Sequence, residues 1–307
     1  LTSFSFLRHI EQFVTEYNYY FAFYAGAINS IYLILLLFSG YNLLVQVRFW
    51  RIHNMRFLFR ESLLPSVSIL APAYNEGKTI IENVKSLLNL TYPHYEVLII
   101  NDGSKDDTLG QLIKVFELER VDTDEEMRIT CAPVRGVFKN ESLPNLTVID
   151  KENGGKADSL NAGINYAEGD YICTIDADSL LETDALLKMM YQTLITDREP
   201  LALGGNILPA NGCTVENGEV TKIRLSKKPL VRFQTIEYLR AFLAGRLGWA
   251  FLNCLLIISG AFGVFRRDRV MNVSGYLTGR GRFKQDTVGE DMELVVRLHR
   301  KEQDEKV

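Results

Sequence analysis

Two carboxylates lie two residues apart in Asp176-Ala-Asp178, directly after the apolar run 171–175. Carboxylate oxygens are the ligands that hard divalent cations prefer, and such a cation keeps further positions for water and phosphate. The pair therefore predicts a metal site at the end of a strand. An Asp-x-Asp pair is also a common helix cap, so the neighbouring loops have to decide between the two interpretations.

Three further loops carry polar residues of related chemistry. Asp102 follows the apolar segment 96–101, where its carboxylate could accept hydrogen bonds from a ribose or a base. The loop Asn153-Gly-Gly-Lys156 places two glycines and a lysine before a helical pattern, which suits a phosphate. Its spacing is not that of a Walker A loop. The loop that starts at Pro72 indicates by itself only a strand-to-helix turn.

The pattern after Pro65 predicts the α/β domain that would bring these loops together. Apolar strands are expected at 67–71, 96–101, 146–150, 171–175 and 201–205, with helical periods between them. Strands that are apolar throughout indicate a parallel sheet covered by helices on both faces. Because ligands bind such sheets outside the carboxyl ends of the strands, the four loops together predict a nucleotide-diphosphate and metal site. The acidic stretch 117–126 is expected to be a solvated surface excursion.

An uncharged N-terminal run, residues 21–47, is long enough to cross a membrane, since a spanning helix needs about 20 apolar residues. Arginines at 48, 51, 56 and 60 follow it without an intervening acid, which predicts that the rest of the chain is cytoplasmic. The expected organisation is an N-terminal segment 1–20, a transmembrane helix 21–47, a basic juxtamembrane linker 48–64 and a cytoplasmic domain 65–307. The expected location is the inner or plasma membrane.

A second uncharged stretch, residues 247–265, is predicted not to span the membrane. A crossing there would place Asp178 and Asp291 on opposite sides. Glycines at 248, 260 and 263 are expected to break it. A helix over 233–257 is expected to lie on the membrane surface instead, with Trp249 and Phe251 toward lipid, followed by a core strand at 259–265.

The overall composition excludes some classes of protein. The formal net charge is −4, so no basic excess is present to neutralise the phosphates of a nucleic acid. The four cysteines are scattered without C-x-x-C spacing, which indicates neither a zinc ribbon nor a disulfide framework.

The loop motifs resemble, in order, those of the family 2 glycosyltransferases with a GT-A fold. The motifs are Pro72-Ala-Tyr-Asn-Glu76, Asn101-Asp-Gly-Ser104, Gly155-Lys-Ala-Asp-Ser-Leu-Asn161 and Asp176-Ala-Asp178. Two later segments add to the resemblance. The segment 259–266 is similar to the strand that lines the acceptor side, and Gly289-Glu-Asp291 is similar to the motif whose Asp is the catalytic base.

That resemblance implies a UDP-sugar donor, a Mg²⁺ or Mn²⁺ cofactor and a specific set of site residues. The nucleotide-contacting residues would be Pro72, Tyr74, Glu76, Asp102, Lys156 and Asp176. The metal ligands would be Asp178 and Asp176, the acceptor path would be lined by Ser259, Gly260 and Ala261, and the catalytic residues would be Asp291 and Glu290.

Asp291 is expected at a helix N-terminus because Leu294, Val295 and Leu298 follow at helical spacing. The helix dipole there would keep the carboxylate ionised and able to accept a proton. Without the upstream loops, ordinary helix capping would be the preferred interpretation of Glu290-Asp291.

The function implied is inverting transfer of a sugar, with N-acetylglucosamine as the leading donor sugar, to a growing β-linked polysaccharide at the membrane. The region 234–291 is most similar to synthases of poly-N-acetylglucosamine, hyaluronan or chitin. Their Q-x-x-R-W motif and later spanning helices do not occur in this sequence, so a truncated chain is expected. The expected partners are a saccharide or lipid-linked acceptor, the lipid bilayer and accessory export or regulatory subunits, but no nucleic acid.

Two alternatives stay open. One is a single transfer to a lipid or saccharide, as in synthases of the dolichol-phosphate-mannose type. The other is a nucleotide-sugar or cyclic-nucleotide binding module without transferase activity. The presence of Asp291 beside the nucleotide motifs counts against a binding module, because binding alone needs no base. A membrane-tethered NTP hydrolase is disfavoured by the missing Walker spacing.

Overall fold

The structure is a computed structural model that describes residues 2–52, 64–123, 127–176, 179–195, 199–216, 219–252, 254–280 and 289–304. It divides into two compact units. The first comprises Leu1–His53 and Ile236–Leu255, and the second comprises Asn54–Thr235 and Leu256–Val307.

The described residues form ten α-helices, one π-helical segment and ten strands. The helices are α1 Thr2–Ile52, α2 Ile80–Leu88, α3 Thr108–Val115, α4 Lys156–Tyr166, α5 Ala185–Met190, α6 Gln192–Ile195, α7 Pro229–Leu239, α8 Leu247–Phe251, α9 Arg267–Asn272 and α10 Glu290–Asp304, with a π-helical segment Arg240–Arg246 between α7 and α8. The strands are β1 Val67–Ala73, β2 Tyr95–Asp102, β3 Glu119–Val121, β4 Val134–Lys139, β5 Leu146–Lys151, β6 Tyr171–Ile175, β7 Ala202–Gly204, β8 Thr214–Glu216, β9 Glu219–Lys222 and β10 Phe262–Arg266.

Helix α1 dominates the first unit. Within the described residues it contains one stretch, Glu11–Val45, that is long and apolar enough to cross a membrane. Its polar side chains bond to carbonyls one turn back: Asn29 donates to Ala25 O at 2.7 Å and Ser30 donates to Gly26 O at 2.8 Å. Such bonding satisfies polar groups inside the helix itself, as an apolar surrounding requires. The predicted N-terminal apolar helix is confirmed, while its orientation stays a prediction.

The second uncharged stretch is not one helix. The helix expected over 233–257 is formed by α7, the π-helical segment and α8, and it ends at Phe251. The expected break at Gly248 is wrong, because this residue lies inside α8. A Cβ at Gly248 would lie 2.7 Å from Leu35 O, so its missing side chain permits close packing on α1.

The expected lipid-facing rings lie in this region. Trp249 is 43% exposed and Phe251 is 45% exposed. The ring of Phe251 also stacks on Phe38 of α1, with centroids 5.1 Å apart. Phe251 therefore has a partner within the first unit in addition to its exposed face.

One mixed sheet forms the centre of the second unit, with strand order β3-β4-β5-β2-β1-β6-β10-β7. The four central strands β5, β2, β1 and β6 are parallel, while β10 runs antiparallel to β6 and β7. Strands β5 and β6 are buried along their whole length, and β1 and β2 nearly so, which explains their uninterrupted apolar sequences. The predicted α/β class and mainly parallel sheet are confirmed.

Two features of this unit differ from the sequence prediction. The acidic stretch 117–126 contains the short edge strand β3, which pairs antiparallel with β4. Strand β4 itself and the β8–β9 hairpin were not predicted. These strands are short and partly exposed, so they lack the continuous apolar run by which the central strands are recognised.

Candidate active site

The first two loops are joined by hydrogen bonds at the carboxyl ends of β1 and β2. Asn75 has φ 58°, a left-handed conformation that asparagine tolerates. Its Oδ1 accepts from Lys105 N at 2.8 Å, and its own N–H donates to Ser104 Oγ at 3.0 Å. The N–H of Gly77 donates to Asp106 Oδ2 at 3.0 Å. The two loops therefore have a fixed relation to each other.

Three predicted nucleotide residues belong to the first loop. Pro72 lies inside β1 opposite Ile100, and Tyr74 is 44% exposed. Glu76 is half-buried, and its Oε2 accepts from the Thr79 hydroxyl at 2.8 Å. The structure brings them to the predicted edge of the sheet, and their contacts with a nucleotide stay predictions.

Asp102 joins the second loop to the third. Its side chain is buried, and Lys151 Nζ lies 2.6 Å from Oδ1. The N–H groups of Gly154 and Gly155 donate to the two carboxylate oxygens at 2.9 and 2.8 Å. Asn153 Nδ2 donates to the backbone oxygen of Asp102 at 2.8 Å. The carboxylate therefore shapes the glycine loop directly, a role that the sequence analysis did not foresee.

Lys151 is a site residue that sequence reasoning missed. Its side chain is fully buried between two carboxylates, and its Nζ also lies 2.8 Å from Asp158 Oδ1. The same Asp158 oxygen accepts from Ala132 N at 2.9 Å. A buried ammonium is tolerated only with such partners. The one available signal was a lysine at the end of a fully apolar strand.

Lys156 and Asp176 link the third loop to the fourth. Gly155, with φ 87°, precedes α4, and Lys156 is the first residue of that helix. Lys156 Nζ lies 2.5 Å from Asp176 Oδ1, and both side chains are about one-third exposed. An accessible ammonium at a helix N-terminus beside a carboxylate suits an anionic ligand together with a cation.

The metal prediction is only partly testable in the geometry. Asp178 lies outside the described residues, so its position relative to Asp176 is not part of the structure described. Among the residues that are described, no three His, Cys, Asp or Glu side chains are grouped as metal ligands. The carboxylate of Asp176 is a hard oxygen donor of the type that Mg²⁺ and Mn²⁺ prefer, and its partial exposure leaves it accessible.

Asp291 lies in the first turn of α10, as predicted. Its Oδ2 accepts from the N–H of Gly260 at 2.8 Å. Its Oδ1 is buried and has no hydrogen-bond partner among the described residues. A Cβ at position 260 would lie 2.6 Å from the carboxylate, so only glycine permits this approach. One oxygen is held by the protein, and the other is a buried acceptor without a partner among the described residues.

The surroundings of Asp291 change its acidity. Burial raises the pKa of this carboxyl above its ordinary value, the positive charge of Lys156 lowers it, and the negative charge of Glu290 raises it. The Gly260 N–H lowers the pKa, and Asp176 raises it. Since burial has the largest effect, the net direction is upward.

The residues predicted to line the acceptor path lie immediately before β10. Gly260 is buried, and Ser259 and Ala261 are half-buried. Ala261 N–H donates to Ser259 Oγ at 3.4 Å, and Phe262 N–H donates to Ser259 O at 3.2 Å, which closes a turn before β10. The structure places all three beside Asp291 through Gly260, and their contact with an acceptor stays a prediction.

A turn at 273–276 connects α4 to α10. Asn161 of α4 donates to Tyr276 O at 2.9 Å and accepts from Tyr276 N at 2.7 Å. Arg297 of α10 donates to Val273 O at 2.6 Å and to Gly275 O at 2.7 Å. The helix that carries Lys156 and the helix that carries Asp291 are therefore bonded to the same four residues. Neither Asn161 nor Arg297 was predicted to act in this way.

Residues 68–267, which are 200 of the 307 residues, match the family described as Glycosyl transferase family 2. The chain belongs to glycosyl transferase family 2. The predicted enzyme class is thereby confirmed.

Curated relatives of this glycosyl transferase family 2 chain include poly-beta-1,6-N-acetyl-D-glucosamine synthases. The protein from Staphylococcus aureus strain COL is 28% identical over 77% of this chain and 46% of its own length. The protein from Staphylococcus epidermidis is 26% identical over 95% of this chain and 57% of its own length. The chain spans about half the length of these relatives.

The chain is also similar to solved structures. Mannosyltransferase PcManGT from Pyrobaculum calidifontis, in complex with GDP-Man and Mn²⁺, is 17% identical with a TM-score of 0.49, covering 87% of this chain and 63% of that one. S. aureus TarS 1–349 in complex with UDP-GlcNAc is 17% identical with a TM-score of 0.45, covering 76% of this chain and 53% of that one.

Proposed function

We propose that this family 2 glycosyltransferase is an inverting, metal-dependent enzyme that moves N-acetylglucosamine from UDP-N-acetylglucosamine to a growing β-linked polysaccharide. The observation that carries the proposal is the carboxylate of Asp291, which has one oxygen held by Gly260 and one buried oxygen without a hydrogen-bond partner among the described residues. The turn 273–276, to which both α4 and α10 are bonded, supports a base near the donor motifs. The sugar is proposed from the poly-beta-1,6-N-acetyl-D-glucosamine synthases to which the chain is similar.

The donor side of the site would be formed by the glycine loop and Lys156. Asp102 and Lys151 hold the loop by bonds to its backbone, so the loop needs little ordering when a nucleotide binds. Lys156 would exchange its bond with Asp176 for one with the diphosphate. Pro72, Tyr74 and Glu76 would contact the nucleoside, and Asp102 would act on it through the loop as well as directly.

The proposed reaction is a single displacement. The acceptor hydroxyl oxygen forms a bond to the anomeric carbon while the bond from that carbon to the diphosphate oxygen breaks. Asp291 Oδ1 takes the hydroxyl proton, and UDP leaves with the bonding electron pair. One displacement inverts the anomeric centre, so an α-linked donor gives a β-linked product. Ser259 and Ala261 would orient the acceptor.

Asp176 and Asp178 are proposed to hold the divalent cation. When bound, the cation would offset the negative charge that develops on the leaving diphosphate. Lys156 would add to this stabilisation from the start of α4. Glu290 raises the pKa of Asp291, and we propose that it supports the base in this way rather than by contacting the sugar.

We further propose that α1 anchors the enzyme in the plasma membrane with the catalytic unit in the cytoplasm. The apolar stretch Glu11–Val45 and the arginines that follow it support this orientation. A saccharide or lipid-linked acceptor, the bilayer and accessory export or regulatory subunits are the proposed partners.

The test uses the full chain in membranes and measures UDP release from a panel of UDP-sugars with and without Mg²⁺ or Mn²⁺. We expect metal-dependent release from one donor, lost in Asp178→Asn and lowered about 10²–10⁴-fold in Asp291→Asn. Asp122→Asn, at an exposed position far along the chain from the motifs, is the matched control and should behave as the wild type.

Two outcomes would contradict the proposal. If a UDP-sugar binds in a metal-dependent way but no donor is consumed with any acceptor, a binding module is the better interpretation. If transfer proceeds normally in Asp291→Asn, this carboxylate is not the base.

A further inference from the structure

Residues 221–233, here called the basic-apolar segment, have an unusual charge composition. They contain five cationic residues and no Asp or Glu, in a chain whose net charge is −4. The cationic residues are Lys222, Arg224, Lys227, Lys228 and Arg232. Among the described residues, none of the four that precede Arg232 has an ion-pair partner. The positive charge is therefore not neutralised within the described part of the unit.

Large apolar side chains lie among these cations and are more than half exposed. Ile223 is 77% exposed, Leu225 61%, Leu230 79% and Phe233 66%. Single exposed apolar residues are ordinary, but four within eleven positions form a patch of the kind that marks a binding surface. Helix α7, which carries two of them, has no buried residue. Packing among the described residues therefore does not account for its apolar side chains.

The backbone of the segment is anchored while its side chains remain exposed. Strand β9 ends at Lys222, and Pro229 starts α7, a favoured first position for proline. Between them, buried Ser226 accepts from Lys228 N at its Oγ at 3.2 Å and from Arg232 Nε at its carbonyl at 2.8 Å. The cations and apolar groups are therefore exposed on a local structure that is fixed by hydrogen bonds.

A partner for this surface has to present negative charge and also accept apolar side chains. A bilayer that contains anionic lipids meets both conditions, because cations bind its headgroups while apolar side chains enter the acyl boundary. A nucleic acid offers the charge but no depth for four aliphatic and aromatic side chains. The chain continues from Phe233 directly into Ile236–Leu255, which belongs to the same compact unit as α1. The segment is thus tethered to the proposed membrane anchor.

We propose that the basic-apolar segment is a docking surface for anionic phospholipid, through which the catalytic unit binds the membrane at a second place besides α1. This inference rests on the proposed membrane insertion of α1 and is independent of the sugar chemistry. Binding is selective for anionic headgroups and weakens with salt, since exposed charges are screened over about 8 Å at physiological ionic strength.

The test places the full chain in nanodiscs of phosphatidylcholine alone or of phosphatidylcholine with one-quarter phosphatidylglycerol. Hydrogen–deuterium exchange is then followed at residues 221–233. We expect several-fold slower exchange in the anionic nanodiscs, reversed at high salt. A variant with Lys222→Gln, Arg224→Gln, Lys227→Gln and Lys228→Gln should lose this protection. The matched control removes four other exposed or half-exposed lysines (Lys85→Gln, Lys114→Gln, Lys139→Gln, Lys188→Gln) and should keep it.

A second variant separates the apolar contribution from the charge. Ile223→Ser with Leu230→Ser keeps all five cations and should still lower the protection, because the apolar side chains no longer enter the bilayer. Equal exchange in both nanodiscs would overturn the proposal. Protection in native membranes but not in anionic nanodiscs would also overturn it, in favour of a protein partner.

The same experiment shows separately whether the assumed membrane insertion of α1 is wrong. If α1 does not insert, the chain does not enter nanodiscs at all, which contradicts the proposed anchor. Flotation of the chain and of both variants on vesicles of the same two compositions would then test the segment by itself.

Discussion

At the scale of the residue, the two oxygens of Asp291 have different surroundings. Oδ2 accepts from Gly260 N, while Oδ1 is buried without a partner among the described residues. An unpaired buried carboxylate oxygen is costly unless a ligand completes it. The cost is understandable if the missing partner is the acceptor hydroxyl whose proton this oxygen takes.

Gly260→Ala should damage transfer severely. The new Cβ would lie 2.6–2.9 Å from the atoms of the Asp291 carboxyl group. Such an overlap costs about 1–3 kcal/mol, and the carboxylate would have to move to relieve it. We expect transfer to fall at least tenfold with the UDP affinity little changed, measured by sugar incorporation and by calorimetry. Gly279→Ala is the control, because nothing lies within 4 Å of its Cβ. Equal loss in both variants would show that the effect is not specific to the base.

The acidity of Asp291 predicts the pH dependence of transfer. Burial raises its pKa, and only the ionised carboxylate can accept a proton. Activity should therefore be lost, as the pH falls, around an apparent pKa above the ordinary aspartate value of about 3.9. Lys156→Met removes a charge that lowers this pKa and should move the acid limb of kcat/KM to still higher pH. An acid limb at or below the ordinary value, or one that Lys156→Met moves downward, would contradict this assignment.

At the scale of the element, the turn 273–276 sets the relation between two helices of the site. Ser274 and Gly275 both have positive φ, 66° and 68°, and a Cβ at Gly275 would lie 2.4 Å from Asn161 Oδ1. The turn thus has a backbone conformation that would be unfavourable without its partners. Those partners, Asn161 on α4 and Arg297 on α10, bond to it from its two sides.

Arg297→Lys should lower turnover more than it lowers donor affinity. A lysine keeps the charge but cannot reach the carbonyls of Val273 and Gly275 and the Glu293 carboxylate together, because it lacks the planar fork of arginine. We expect a fall in kcat with a nearly unchanged dissociation constant for UDP, measured by initial rates and calorimetry. Arg300→Lys, on the exposed side of the same helix, is the matched control.

A double-mutant cycle distinguishes positioning from a general loss of stability. If Arg297 acts through Asp291, then Arg297→Lys should cost little further activity in an Asp291→Asn background. Additive losses would show that Arg297 supports the fold without acting on the base.

At the scale of the whole molecule, the chain forms two compact units. The first combines α1 with Ile236–Leu255, and the second contains the sheet and the site. The region 236–255 is inserted into the sequence between β9 and β10, so the chain of the catalytic unit passes through the α1 unit and returns. Asp176 and Asp291, on either side of that excursion in sequence, belong to one unit.

This arrangement predicts a single crossing of the membrane within the described residues. In sealed vesicles, an impermeant maleimide should label Arg8→Cys, which precedes the stretch Glu11–Val45, from one side and Ser142→Cys from the other, in a background without the accessible native cysteines. Single cysteines at the two ends of 247–265 should react from the same side as Ser142→Cys. Labelling of those two ends from opposite sides would contradict the single crossing.

The fold was predictable where the pattern is local and strong. The apolar runs of β1, β2, β5 and β6 identified the parallel centre of the sheet, and the loops after them identified Asp102, Lys156 and Asp176 as neighbours. Carboxyl ends of parallel strands meet at one edge whatever the details of packing, so this inference needed no tertiary information. The edge strand β3 and its neighbour β4 were not predicted, because they are partly exposed and lack a continuous apolar run.

The sequence by itself therefore determined the family motifs, the class of fold and the apolar N-terminal helix. Only the tertiary structure decided how the site is held: Lys151 between Asp102 and Asp158, Gly260 against Asp291, and the turn 273–276 between Asn161 and Arg297. These pairs join side chains to groups far away along the chain. Such bonds follow no sequence period, because the partner is set by how packed elements meet and not by the spacing of neighbouring residues.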